Sequence, residues 1–190
     1  SGSNSYQGGT TSSRGAAVVG SVASIPANGN LLSYYGGYIG LASTNFGGSG
    51  TYQSSFIDRF DKFSSTGAIG FDSLPNAQGQ LTVNNFTGPV DLTVFTNSVR
   101  LGSATSAILS GPIVPQGNVY RFGGGGGKLE VTSGLTDGTN ARSLELLTQM
   151  SGSLTLRLPG GSSAANTFSG GVTVKNAALV FGGGAGAMPS

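Results

Sequence analysis

Two aspartates, Asp58 and Asp61, stand one helical turn apart in Ser54-Ser-Phe-Ile-Asp-Arg-Phe-Asp-Lys-Phe63, with Arg59 and Lys62 interleaved. Two carboxylates at that spacing suit an acid pair for polysaccharide cleavage, and equally the solvated face of a short helix. The solvated face is the stronger reading, because the seven carboxylates of the chain are scattered: Asp58, Asp61, Asp72, Asp91, Glu130, Asp137 and Glu145. Histidine is absent, which removes the usual general base of nucleophile triads. Gly123 to Gly127 followed by Lys128 invites a phosphate-loop reading. However, Phe122 and Leu129 occupy the positions where that loop needs glycine and Ser or Thr. Gly183-Gly-Ala-Gly186-Ala approaches a calcium-binding turn, but Met188 stands where the ligating aspartate belongs. Tyr34, Tyr35 and Tyr38 could stack on sugars at a groove, but lining the interior or pairing across coils is the stronger reading. Asn85-Phe-Thr87 fits a glycosylation sequon that arises readily by chance. These residues give no catalytic set, no metal site and no cofactor. A glycan contact at Tyr34, Tyr35, Tyr38, Asp58 and Asp61 is the competing reading.

The elements that position these groups read as short strands. Ala68-Ile-Gly-Phe71, Val119-Tyr-Arg-Phe122, Lys128-Leu-Glu-Val131, Ser143-Leu-Glu-Leu-Leu147 and Ser153-Leu-Thr-Leu-Arg-Leu158 are apolar runs or alternations. Val90, Leu92 and Val94 fall on one face, as do Leu81, Val83 and then Phe86. Ser5 to Ser12 and Gly15 to Val19 form two more strands, closed at Ile25-Pro26. The one helical pattern lies over residues 54–63, with apolar residues at 56, 57, 60 and 63 and a serine N-cap. Strands of four to six residues between glycine turns fit a sandwich, a barrel or a solenoid. Recurrence without hairpin turns favours the solenoid.

Composition agrees. Glycine accounts for 35 of 190 residues, more than double the ordinary share of about 7%. Hydrophobic residues at 37%, rich in β-formers, supply enough apolar surface for a core and argue against disorder. The net charge of +2 comes from nine cations against seven anions, and no window of six residues holds more than two Lys or Arg, so no nucleic-acid surface is expected. The absence of cysteine excludes a disulfide framework and is compatible with export. No apolar run approaches the ~18 residues of a membrane span, and any targeting signal is expected outside this stretch.

The chain carries one motif twice, over residues 4–26 and 166–190, with spacer coils over 27–165. Asn4 aligns with Asn166, Tyr6 with Phe168, Gly8-Gly9 with Gly170-Gly171 and Thr11 with Thr173. Val18-Val19 aligns with Val180-Phe181, and Ile25-Pro26 with Met188-Pro189 after a one-residue slip. This pattern, aromatic-x-Gly-Gly-x-Thr, then small residues, Val or Leu, a glycine turn and apolar-Pro, resembles the passenger-associated autotransporter β-strand repeat. The spacer stretches at Ser65 to Asp72 and Leu109 to Gly127 resemble those of giant repetitive exported bacterial proteins. The resemblance implies an extracellular or cell-surface right-handed parallel β-helix, and no particular partner. Because the unit begins and ends alike, neighbouring copies or repeats of itself are the expected partners, with surface glycans belonging to the competing reading.

The expected molecule is thus an all-β chain, a single right-handed parallel β-helix over residues 1–190 with one short helical decoration and about seven to nine coils of roughly 20–29 residues.

Overall fold

The computed structural model describes residues 6–158, 160 and 165–182. Asn4, Gly183 to Gly186, Met188 and Pro189 of the motif and turn readings lie outside the described residues. Every named strand pairs in parallel, and the strands wind into a β-solenoid of about seven coils. The first coil holds β1 (Thr10–Ser13) and β2 (Ala16–Val19), the second β3 (Leu31–Tyr34) and β4 (Tyr38–Leu41). A helix α1 (Tyr52–Ser55) precedes the third, with β5 (Ala68–Phe71) and β6 (Asn84–Phe86). The fourth comprises β7 (Val90–Asp91), β8 (Arg100–Gly102) and β9 (Ser106–Leu109). The fifth comprises β10 (Ile113–Val114), β11 (Val119–Phe122) and β12 (Lys128–Val131). The sixth has β13 (Ser143–Leu147) and β14 (Thr155–Leu158), the seventh β15 (Val172–Lys175) and β16 (Ala178–Phe181).

The chain visits its faces in a fixed order. The first face carries the two short sheets, β1–β3 and β7–β10, the second a seven-stranded sheet running from β2 to β15, the third a five-stranded sheet from β6 to β16. Register is set by burial, because a one-residue slip would turn every inward side chain to solvent. On the second face Ala17, Ile39, Ile69, Leu101, Phe122, Leu146 and Val174 stack in one inward column. On the third, Ala107, Leu129, Leu156 and Leu179 form another. Period-two alternation within each strand and a constant register between coils therefore produce one continuous apolar core.

The helical pattern falls earlier than residues 54–63. Its N-cap is Thr51, not a serine: Thr51 Oγ1 accepts from the Ser54 amide at 3.1 Å and Ser54 Oγ from the Thr51 amide at 3.0 Å, a reciprocal capping box. After Ser55 the chain turns through Phe56 into a 3₁₀ turn, Ile57–Arg59. The register of the turn is fixed by Tyr52, Phe56, Ile57 and Phe60, all buried. Tyr52 stacks on Phe71 with centroids 4.5 Å apart and meets Phe86 edge-on. Several strand expectations change bounds: Thr10–Ser13 stands in place of Ser5 to Ser12, and Thr155–Leu158 in place of Ser153 to Leu158. Leu81 and Val83 are exposed and only Asn84–Phe86 pairs, while Val94 leaves the face shared by Val90 and Leu92 because β7 ends at Asp91.

Candidate functional site

The most polar buried site lies outside the apolar core, on the outer side of the second face. Gly40, Gly70 and Gly102 stand over one another in register, and this column without side chains leaves a trench. The Tyr38 phenol lies along it, and a Cβ at Gly40 or Gly70 would overlap that ring. At its end sits Asp72, just past β5. Tyr38 Oη donates to Asp72 Oδ2 at 2.6 Å. Oδ1 accepts from the amides of Ala104 (2.8 Å) and Thr105 (2.9 Å), from Thr105 Oγ1 (2.9 Å) and from Ser103 Oγ (3.3 Å). All five donors are neutral. Burial pushes the Asp72 carboxyl above the usual carboxylate range in spite of them. Burial, and then the neighbouring carboxylate, pushes the Tyr38 phenol well above its ordinary value, so it acts as a donor.

Two glycine-dependent loops close the trench. The Gly123 to Gly127 run is the corner between β11 and β12. Gly123, Gly124, Gly125 and Gly126 all have positive φ, from 85° to 149°. A side chain at Gly102 would meet the Gly124 carbonyl and one at Gly124 the Ala68 methyl. The amides of Gly123 and Gly127 are spent on Leu101 and Ser103 carbonyls, as the turn reading of this run requires. Over it lies the turn of residues 148–152, where Ser151 Oγ accepts from the Gly125 amide and the Ser151 amide reaches the Gly36 carbonyl at 3.0 Å. This strap ties the sixth coil to the second. Tyr38 and Asp72 are fully buried, and the arrangement acts chemically as a brace between coils.

The sequence-derived glycan residues do not converge. Tyr38 is sealed in the trench and presents no face to a ligand, a correction that follows from the glycine column beneath it. Tyr35 is 69% exposed at a corner with φ 48°, its ring 4.7 Å from that of Tyr34. Asp58 accepts from Gln53 Nε2 at 3.1 Å and lies 3.9 Å from Lys62 Nζ. Asp61 Oδ1 caps the amides of Phe63 and Ser64, and hydrogen bonds from Ser64 hold its carboxyl below the usual range. Asp61 thus serves its local turn, while Asp58 is engaged by Gln53 beside Lys62. Lys62 packs over the Phe95 ring, and burial lowers its amine to about 8.

The terminal motifs superpose better than their side chains. Moving β1 along by the motif alignment gives the bounds of β15, and moving β2 gives those of β16. The first of the two residues between the strands, Arg14 in one copy and Asn176 in the other, has left-handed φ of 64° and 53°. The glycine pairs do not match position by position: Gly9 presses on the Asn30 carbonyl, but in the other copy it is Gly170, the counterpart of Gly8, that presses on the Arg142 carbonyl, a Cβ coming to 2.6 Å in both cases. Gly171, with φ 87°, and Gly8 both face open space. Thr11 and Thr173 point outward. Phe168 is buried against Tyr120, but Tyr6 is exposed, so the aromatic positions are not equivalent. Pro26 is buried, and its carbonyl, with those of Ala27 and Gly29, accepts from the Arg59 guanidinium.

Several surfaces of the described residues remain open, a groove beside Tyr6, Thr10 and Ala17 on the first coil among them. A groove of about 400 Å³ on the third face is lined by Val83, Ser106, Lys128, Glu130, Thr155 and Arg157, among others. A shallower one of about 550 Å³ runs past Arg14, Tyr35, Met150 and Asn176. A further one is the seventh coil itself. Leu144 and Leu146 beneath it are buried, whereas Val172 and Val174, in the same inward columns, are 39% and 43% exposed. Among the described residues no cluster of metal-ligating side chains occurs, and no helix is long and apolar enough to cross a membrane. Comparison with models of known protein families, with curated proteins and with solved structures found no match in any of the three.

Proposed function

We propose that this chain is a structural segment of an extracellular or cell-surface bacterial β-helical fibre, filament or adhesin stalk, stacking end to end with neighbouring copies, and that it has no catalytic role. The observation that carries this reading is the inward column that runs Ile39, Ile69, Leu101, Phe122 and Leu146 in full burial and then emerges uncovered at Val174. Each coil shields the one below it, so a coil whose inward residues face solvent is completed by another coil. The buried polar groups support the same reading, since Asp72, Tyr38 and Ser33 are all consumed in bonds between coils. Concentration-dependent rods or filaments in electron micrographs, abolished by Val174→Lys with the melting temperature little changed, are the expected result. Single globular particles at every concentration would overturn the reading. The groove with Lys128, Glu130 and Arg157 supports the second reading, a carbohydrate-binding β-helix. Glycan-array binding lost in Lys128→Ala/Arg157→Ala would favour it.

A further inference from the structure

The two terminal coils share strand bounds and corner conformation, but they do not occupy the same faces of the rod. The counterpart of β1 is β15, yet β1 pairs with β3 on the first face whereas β15 closes the sheet that contains β2. The counterpart of β2 is β16, on the third face. Between the two copies the chain has therefore advanced by six coils and one additional face.

Two registers are open to a second copy that continues the rod. With faces aligned, its β2 extends the seven-stranded sheet on β15, setting Ala17 and Val19 over Val172 and Val174. That leaves β16 without a strand above it, because among the described residues the first two coils carry no strand on the third face. With the second copy turned by one face, its β1 lies on β15 and its β2 on β16. Eight residues then pair in parallel where the aligned register pairs four. Thr10 and Ser12 cover Val172 and Val174, and Ala17 and Val19 cover Leu179 and Phe181. Ser12 brings no unpaired hydroxyl into that contact, since its Oγ donates to the Gly15 carbonyl at 2.8 Å. The left-handed corners at Arg14 and Asn176 then coincide, so the path of one coil follows that of the other through the turn. Unmatched edge N–H and C=O groups are the main liability of an open sheet end, and this register satisfies two strands of them.

We propose that copies of this chain join motif on motif, the first coil of one on the seventh coil of the next, so that each copy is rotated about the rod axis by one face relative to its neighbour. This rests on the end-to-end reading above and names its interface and register. One consequence is that the groove holding Lys128 and Arg157 winds around the filament instead of lining one side.

The cysteine-free chain allows a clean test. Residues on adjoining rungs lie about 4.8 Å apart, within disulfide reach. Thr11 and Thr173, both outward and exposed, stand at opposite ends of one rod and meet only between copies in the rotated register. Val18 and Val180 meet in the same way, whereas Val18 meets Thr173 only in the aligned register. Mild oxidation of Thr11→Cys/Thr173→Cys, and separately of Val18→Cys/Val180→Cys, is expected to give a ladder of covalent multimers on a non-reducing gel. Val18→Cys/Thr173→Cys should give none, and the single variants should stop at dimers. A ladder from Val18→Cys/Thr173→Cys alone would overturn the rotated register and leave end-to-end stacking standing. No ladder from any pair, with only single particles in micrographs, would overturn both.

Discussion

At the scale of single residues the molecule depends on one carboxylate. Asp72 is buried with five neutral donors and a pKa raised by burial. A carboxyl whose folded pKa lies above its unfolded value of about 3.9 binds more protons in the folded state through that interval. The stability it contributes is complete below the unfolded value and is lost as pH rises through the folded one. Asp61 and Asp137 are shifted down by hydrogen bonds, Asp137 first by the Arg142 amide, and act in the opposite sense. The informative quantity is thus a difference. Asp72→Asn keeps the acceptor for Ala104 and Thr105, and its stability relative to the parent should improve from pH 4 to pH 7, as measured by urea unfolding. Tyr38→Phe removes one donor from a buried carboxylate and is expected to cost about 1–3 kcal/mol. Lys62 gives an alkaline counterpart. Its amine, lowered to about 8, binds fewer protons folded than unfolded up to about 10.4, so stability should rise with pH across that window and Lys62→Met should flatten the rise.

At the scale of elements, glycine decides where backbone can approach backbone. A methyl at Gly70 would meet the Gly102 carbonyl and the Tyr38 ring together, and neither can retreat without breaking the ladder. Gly70→Ala should therefore cost about 1–3 kcal/mol or more. Gly88→Ala, where a Cβ meets nothing within 4 Å, should be close to neutral in the same thermal melts. Gly124→Ala combines a left-handed φ of 85° with overlap on the Ala68 methyl. It should loosen the strap over residues 148–152 and expose Tyr38, seen as increased quenching of tyrosine fluorescence.

At the scale of the whole molecule, each coil touches its immediate neighbours through strand pairing, so stability is transmitted along the rod. Amides of β5, β8 and β11, with coils on both sides, should exchange slowest, and those of β15 and β16, paired on one side among the described residues, fastest. In filaments of the proposed kind the amides of β15 and β16 gain protection while the middle coils change little, which hydrogen exchange at two protein concentrations measures directly.

The sequence by itself determined what is local. The alternation in Val119–Phe122, Lys128–Val131 and Ser143–Leu147 and the apolar run at Ala68–Phe71 mark strands at the bounds the structure adopts, because side-chain period is a property of a few consecutive residues. The recurrence of the terminal motif coincides with two strand pairs of the same spacing, though not with equivalent side-chain environments. The tripeptides Ile39-Gly-Leu41, Ile69-Gly-Phe71 and Leu101-Gly-Ser103 were a legible signal of the glycine column, although nothing in them announced that Tyr38 would fill it. Only the tertiary structure decided that the Asp72 carboxyl is sealed, that Asp61 caps a turn while Asp58 bonds Gln53, and that the two motif copies stand one face apart. The face a strand occupies is the accumulated result of every corner before it. Burial of a given tyrosine or carboxylate depends on loops such as 123–127 and 148–152 that reach it from coils far along the chain.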